Sequence, residues 1–239
     1  MYKFLLIIAI SFLACTVNAQ VSESVVTWDF PVRYGTEEWK TLKSYEEQLL
    51  AYNIPDEIIK KISTAELVKV CLAYPEWGVI TAFDDLSKGL RMIMQNFNGF
   101  YELIDRKDAA KELIKVYTTL EPLAIRKEWT PVQKMRHNYH INHVELLLSF
   151  SRIIEQFDDG DRQILLDEVA LKYNQKKQLP DVYWLGNLIP TAGLCLNIID
   201  RDGEFSKSDS ELQLLKYYTI AGDMKVLDSV FELAKNLRQ

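Results

Sequence analysis

STAELVKVCLAYP, residues 63–75, opens the stretch of sequence that decides the fold. Ser63 and Glu66 have the spacing of a capping box, in which each side chain accepts a hydrogen bond from the other residue's backbone N–H. Apolar residues then recur at helical spacing, and Pro75 disfavours helical geometry for Tyr74, the residue before it. The stretch therefore predicts a short amphipathic helix that ends near Tyr74.

Helical patterns continue on both sides of this stretch. Thr36 can cap one helix, Pro55 can begin another, and Asp84 or Asp85 can begin a third that ends at Asn98-Gly99. Apolar stripes at helical spacing follow at residues 109–120, 144–157, 164–173, 185–199, 211–220 and 224–237. Alternating patterns typical of strands are scarce. We predict an all-α protein, either a curved multi-helix bundle or a short α-solenoid of stacked helix pairs.

One internal similarity favours the solenoid. Asp105-Arg106 leads through an apolar segment to Tyr117, and Asp161-Arg162 leads in the same way to Tyr173, 56 residues later in each case. Stacked helix pairs of this kind leave a concave surface that can bind a partner.

Residues 1–19 have the pattern of a secretory signal peptide. Lys3 precedes an apolar run, and Val17-Asn18-Ala19 supplies small residues for cleavage. A competing interpretation is a lipoprotein signal that ends at Leu13-Ala14-Cys15 and leaves a lipid anchor on Cys15. Both predict export: to the periplasm or the outside in the first case, and as a membrane-anchored lipoprotein in the second. Residues 20–239 would then form a single helical domain, with residues 121–131 as a candidate hinge.

The charge of the chain narrows the choice of partner. Its 239 residues include 28 basic and 34 acidic side chains, and removal of residues 1–19 leaves 27 against 34. Nucleic acids and anionic lipid surfaces both attract basic proteins. After residue 19, no apolar run is long enough to span a bilayer. We expect a protein or peptide partner of basic or neutral charge, and no nucleic-acid partner. We also expect no transmembrane segment after residue 19.

Two cysteines, Cys71 and Cys195, remain after removal of the signal region. In an exported protein they could form one disulfide. Both are flanked by apolar residues, however, and this favours buried thiols that act as small hydrophobic side chains.

Four short motifs lie within residues 34–120: Thr36-Glu37-Glu38-Trp39, Ile54-Pro55-Asp56-Glu57, Tyr74-Pro75 and FNGFYEL at residues 97–103. Together they resemble a set of uncharacterised exported proteins of Gram-negative bacteria. The motifs consist of helix caps, turns and packing residues. The resemblance therefore implies export and a helical scaffold, and it implies no activity, cofactor or site residue.

All three histidines of the chain fall within seven residues, at positions 137, 140 and 143. Imidazole is a common ligand of zinc and copper. On a helix each step of three residues turns the side chain by about 300°, so His137, His140 and His143 would span a stripe about 120° wide. A mononuclear site would need an acidic ligand from elsewhere. The cluster makes a metal-binding protein or metal-dependent enzyme the alternative function; otherwise it is a polar face or loop before residue 144.

The sequence has no nucleophile-elbow motif, no zinc-protease motif and no glycine-rich phosphate loop. It therefore assigns no catalytic residue and no cofactor, and it favours a non-catalytic role. We predict an exported helical scaffold or binding protein, in which Trp77, Phe97, Phe100 and Tyr101 provide the contact surface. Aromatic side chains dominate interface energies, although aromatics at helical spacing are also typical of a core.

The two signal interpretations predict different mature termini. Cleavage after Ala19 gives a chain that begins at Gln20. We expect intact mass spectrometry of the protein, recovered after expression in a Gram-negative host, to show that terminus. Recovery of a diacylated Cys15 would contradict this expectation and establish the lipoprotein.

Overall fold

The structure, a computed structural model, describes residues 25–83, 86–200 and 223–236, without the side chains of residues 86 and 87. Twelve α-helices and two 3₁₀ helices occupy these ranges, which contain no strand, so the predicted all-α multi-helix bundle is confirmed. The α-helices are α1 (Glu37–Thr41), α2 (Tyr45–Ala51), α3 (Asp56–Ile59), α4 (Thr64–Leu72), α5 (Leu86–Gln95), α6 (Asn98–Asp105), α7 (Ala109–Thr119), α8 (Pro131–Leu148), α9 (Ser151–Ile154), α10 (Asp159–Lys177), α11 (Leu185–Ile199) and α12 (Met224–Asn236). The 3₁₀ helices are Pro75–Ala82 and Pro122–Ala124.

Several predictions concern residues outside these ranges. They are the signal region of residues 1–19, the lipid anchor at Cys15, the helix start at Asp84 or Asp85, and the helix at residues 211–220.

Helix α4 begins and ends where the sequence predicts. The backbone N–H of Glu66 donates to Ser63 Oγ at 3.2 Å, which satisfies one of the donors left over at a helix start. The Glu66 carboxylate pairs with Lys69, so only the Ser63 half of the predicted capping box forms. The α-helix ends at Leu72, before Tyr74-Pro75, and a 3₁₀ helix follows.

Helix α8 begins at Pro131, well before the predicted start at residue 144. Gln133 N donates to Thr130 Oγ1 at 3.3 Å, and Thr130 N donates to Gln133 Oε1 at 2.8 Å, which completes a capping box with Pro131 at the first helical position. The prediction was wrong because it followed the apolar stripe, which is continuous only from Val144. All three histidines consequently lie on a helix.

The core is one cluster of buried apolar side chains that extends from Phe30 to Ala234. Helices α4, α6, α7, α8 and α11 contribute to it, and the predicted stripe on α7 is buried, including Leu113 and Tyr117. Cys71 and Cys195 are buried thiols within this cluster. A smaller cluster joins α10, α11 and α12.

The segment before α1 packs onto this core although it is not helical. Trp28 Nε1 donates to the carbonyl oxygen of Tyr52 at 3.1 Å. Phe30 adopts a positive φ of 55°, and its buried ring lies 5.6 Å from the ring of Phe97 and 6.2 Å from that of Tyr74. The left-handed conformation is unfavourable for a bulky residue, and the aromatic contacts offset its cost.

The 56-residue similarity does not correspond to a structural repeat. Asp105 is the last residue of α6, whereas Asp161 lies in the first turn of α10. The two arginines also differ in role: Arg106 donates to the carbonyls of Ile59 and Ile62, and Arg162 donates to the carbonyl of Ile198. The similarity reflects helical periodicity alone, and it gives no support to a duplicated helix pair.

Residues 121–131, the candidate hinge, form several contacts. The Pro122 carbonyl oxygen accepts a 2.9 Å hydrogen bond from the buried Tyr183 hydroxyl. His137 Nε2 lies 3.0 Å from the Glu121 carbonyl oxygen. The segment is therefore held against α8 and the connection between α10 and α11.

Two helical glycines provide a matched test of the packing. A Cβ at Gly89, in α5, would lie 2.8 Å from the backbone of Ile80 in the first 3₁₀ helix, whereas a Cβ at Gly193, in α11, would meet nothing within 4 Å. We expect Gly89→Ala to lower the melting temperature because the two elements must separate. Gly193→Ala should stabilise the protein by up to about 1 kcal/mol through helix propensity. Thermal unfolding monitored by circular dichroism tests both, and a stabilising Gly89→Ala would contradict the close contact.

Candidate functional site

A groove of about 380 Å³ lies between α8 and the segment that joins α4 to the first 3₁₀ helix. We call it the α8 groove. One wall is a single face of α8, with residues at i, i+3, i+4 and i+7 spacing: Val132, Met135, Arg136, Tyr139, His140 and His143. The opposite wall consists of Leu72, Tyr74, Pro75 and Trp77.

Stacked rings form the inner part of the α8 groove. The ring of His143 lies parallel to that of Trp77, with centroids 4.0 Å apart and planes 11° apart. Tyr139 lies on α8 with its ring 6.2 Å from His143 and 9° from parallel. Trp77 Nε1 donates to the carbonyl oxygen of Cys71 at 2.8 Å, so the indole cannot rotate without losing a buried hydrogen bond. The aromatic surface is therefore held in place before any ligand arrives.

The mouth of the α8 groove is apolar and exposed. Val132 and Met135 expose 57% and 47% of their surface and lie three residues apart on one face of α8. Arg136 is exposed beside them and is positively charged at any ordinary pH. No carboxylate is among the described residues that line the groove, so none of them neutralises this charge. The groove thus combines an apolar surface with one cation.

Both histidines of the groove favour the neutral form. Burial lowers the pKa of His143 to about 3, and the nearby His140 acts in the same direction. Burial also lowers the pKa of His140, with a further contribution from His137. A neutral imidazole stacks on an aromatic ring without the cost of desolvating a charge. Arg136 therefore remains the cationic group of the groove at neutral pH.

The four aromatic residues predicted to bind a partner have different locations. Trp77 belongs to the core and lines the α8 groove with the 4% of its surface that is exposed. Phe97 and Phe100 are buried in the core, with ring centroids 5.3 Å apart, and neither reaches a surface where a partner could contact it. Tyr101, on α6, is 50% exposed and does not line the groove. The structure therefore brings only Trp77 of the four to the candidate site.

The three histidines are likewise divided between two surroundings. His140 and His143 line the α8 groove, whereas His137 lies near the Glu121 carbonyl and makes an edge contact with the Trp129 ring, at 5.5 Å between centroids. Among the residues that the structure describes, no group of three or more His, Cys, Asp or Glu side chains could hold a metal ion. The metal site stays a prediction from the spacing alone.

Sequence reasoning missed most of the α8 wall. The predicted helix starts at residue 144, so the prediction does not place the preceding residues on one helix face. These residues are Val132, Met135, Arg136 and Tyr139. The available signal was Thr130-Pro131 with Gln133 three residues after Thr130, followed by residues at helical spacing.

A group of polar side chains lies in the interior, on the side of α8 away from the groove. Glu145 on α8 and Lys176 on α10 have no exposed surface, and Lys176 Nζ lies 2.9 Å from Glu145 Oε2 and 3.0 Å from Oε1. Lys176 also donates to Thr191 Oγ1 at 2.8 Å and to Asn142 Oδ1 at 3.1 Å. Tyr117 donates to Glu145 Oε1 at 3.1 Å. We call these five residues the buried polar network.

Another cavity, of about 420 Å³, lies beside the segment before α1. Three of its charged side chains have partners: Arg33 donates to the backbone carbonyls of Asp29 and Phe30, and Lys69 pairs with Glu66. The α8 groove, with its exposed apolar mouth and stacked rings, is therefore taken as the candidate site.

Comparison with known proteins adds no assignment. No family model, curated protein or solved structure matches the chain significantly. The resemblance to exported proteins of Gram-negative bacteria therefore stays an expectation. Within residues 25–83, 86–200 and 223–236, none of the helices has both the length and the apolar character needed to cross a bilayer.

The low pKa of His143 predicts a dependence of stability on pH. The folded state keeps His143 neutral down to about pH 3, whereas an unfolded histidine titrates near 6.5, so the unfolded state binds more protons below pH 6.5. Stability should therefore fall as the pH drops from 6.5 towards 3. His143→Phe keeps a stacking ring and removes the titration. Between pH 7 and pH 5, we expect the wild type to lose about 1–2 kcal/mol more than this variant.

Urea unfolding of both proteins at the two pH values measures this difference. His140 is present in both proteins, so its contribution to the pH dependence of stability cancels in the comparison. An equal loss of stability in the two proteins would show that His143 is not held neutral by its surroundings.

Proposed function

We propose that this chain is an exported, non-catalytic binding protein that holds a short peptide segment in the α8 groove. The observation that carries the proposal is the pair of exposed apolar side chains, Val132 and Met135, beside the fixed stack of Trp77 and His143. Contiguous exposed apolar surface next to an ordered aromatic is typical of a contact site. Export rests on the signal pattern of residues 1–19.

The ligand that the groove would select depends on the net charge of the whole chain, which acts at long range, and on the charge of Arg136, which acts within the groove. The chain as a whole is acidic, with a net charge of −6, and this favours partners that are basic or neutral overall. Exposed charges are screened beyond about 8–10 Å at physiological salt, so Arg136 dominates within the groove. An apolar peptide with one carboxylate near Arg136, and no large net negative charge, satisfies both conditions.

The rigidity of the groove supports binding by a preformed site. The Trp77 indole is held by its hydrogen bond to Cys71, and His143 is held by α8 and by the stack. Ordering mobile side chains on binding costs roughly 0.5–1.5 kcal/mol each. Two side chains that are already ordered avoid this cost.

Selection from a displayed library of random peptides tests this proposal, with the purified protein immobilised as the target. We expect enriched peptides to share a large apolar or aromatic residue and an acidic residue. Val132→Asp and Met135→Asp should each abolish their capture, because both place a carboxylate in the apolar mouth. Arg136→Gln should weaken capture of the acidic peptides and leave their neutral analogues unaffected.

Leu171→Asp is the matched control. Leu171 on α10 is 51% exposed and does not line the α8 groove, so the same change of charge and polarity there should leave capture unchanged. Thermal unfolding of each variant confirms that the fold is intact. Enriched peptides that bind the groove variants as well as the wild type would place the site elsewhere, and a selection without enrichment would count against peptide binding.

A further inference from the structure

The buried polar network contains an amine, a carboxamide and a carboxylate in mutual contact. From this arrangement we propose that Lys176 Nζ and Asn142 Cγ form an intramolecular isopeptide bond, with Glu145 as the group that transfers the protons. The bond would join α10 to α8 covalently. This inference is independent of the peptide-binding role of the α8 groove.

Proximity is the first argument. Lys176 Nζ lies 3.1 Å from Asn142 Oδ1, the oxygen bonded to the carbon that the amine would attack. The same nitrogen lies 2.9 Å from Glu145 Oε2. Asn142 and Glu145 are three residues apart on α8, so they present both groups to the lysine from one helix face. Holding reactants in contact within a folded protein raises their effective concentration by orders of magnitude.

Exclusion of water is the second argument. Lys176 and Glu145 have no exposed surface, and Asn142 is also buried. Burial lowers the pKa of Lys176, although the Glu145 carboxylate opposes this shift, so transfer of a proton from the ammonium to the carboxylate becomes easier than in water. A desolvated, neutral lysine amine is a competent nucleophile. The reaction also replaces a costly buried ion pair with neutral groups.

The reaction balances without any co-reactant. Glu145 takes a proton from the Lys176 ammonium, and the free amine attacks Asn142 Cγ. Glu145 then gives its proton to Asn142 Nδ2, and the bond between Cγ and Nδ2 breaks as Glu145 takes a second proton from the attacking nitrogen. The products are a secondary amide, ammonia and a protonated Glu145. Tyr117 and Thr191, whose hydroxyls both donate to Glu145 Oε1, position the carboxylate.

A neighbouring lysine shows why the site is specific. Lys172 is also buried on α10, but it pairs with Glu168 and lies over the Tyr117 ring, with Nζ 4.6 Å from the ring centroid. No contact between Lys172 and a carboxamide is found in the part of the chain that the structure describes. It therefore serves as an internal control that should stay unmodified.

Tryptic digestion of the denatured full-length chain, followed by tandem mass spectrometry, tests the proposal. A bond at Lys176 blocks cleavage there, so we expect one branched peptide in which residues 137–152 are joined to residues 173–177, with the loss of one ammonia. The branched peptide is decisive. Loss of ammonia alone is not, because a succinimide at Asn142 or a cyclised N-terminal Gln20 loses the same mass.

Three variants define the roles of the residues. Asn142→Ala removes the electrophile and keeps the ion pair, so it should fold and yield only linear peptides. Glu145→Gln should also yield only linear peptides, whereas Lys172→Arg should keep the branched peptide. Recovery of residues 137–152 only as a linear peptide from the wild type would overturn the cross-link, and a branched peptide in Glu145→Gln would overturn the role of Glu145.

Discussion

The ion pair between Glu145 and Lys176, as it stands before any cross-link forms, is the constraint on which the second half of the structure depends. Both side chains are completely removed from water, and such a pair is tolerated only when its remaining hydrogen-bonding capacity is satisfied. Asn142, Thr191, Tyr117 and the carbonyl oxygen of Asn187 complete it, so α7, α8, α10 and α11 must be in register around one point. Removing one partner of a buried pair costs about 3–5 kcal/mol, far more than an exposed pair contributes.

This constraint also positions the candidate site. Helix α8 carries Glu145 towards the interior and, on another face, the residues from Val132 to His143 that form the groove wall. The interior face locks the rotation of the helix about its axis, and this determines which side chains face Trp77. The groove is thus a consequence of interior packing. Its chemistry, apolar with one arginine, is the basis of the proposed peptide binding.

The aromatic residues show how the same local pattern leads to different outcomes. Trp77, Phe97 and Phe100 are all buried in the core, and of the three only Trp77 also lines the groove. Asn98 explains part of this, because its side chain bonds the backbone N–H and carbonyl of Ile54 and draws the start of α6 into the interior. A contact between residues 44 positions apart leaves no periodic signal in the sequence.

The sequence by itself determined the helical class, the boundaries of α4, the apolar stripe of α7 and the buried state of Cys71 and Cys195. These features depend on interactions within a few residues: caps, proline geometry and side-chain periodicity. Only the tertiary structure decided that Lys176 meets Glu145, that His137 separates from His140 and His143, and that Trp77 faces α8. Each of these depends on contacts between segments that are apart in the sequence, such as that of His137 with Glu121. The energy of such contacts depends on burial and on partners that local sequence does not encode.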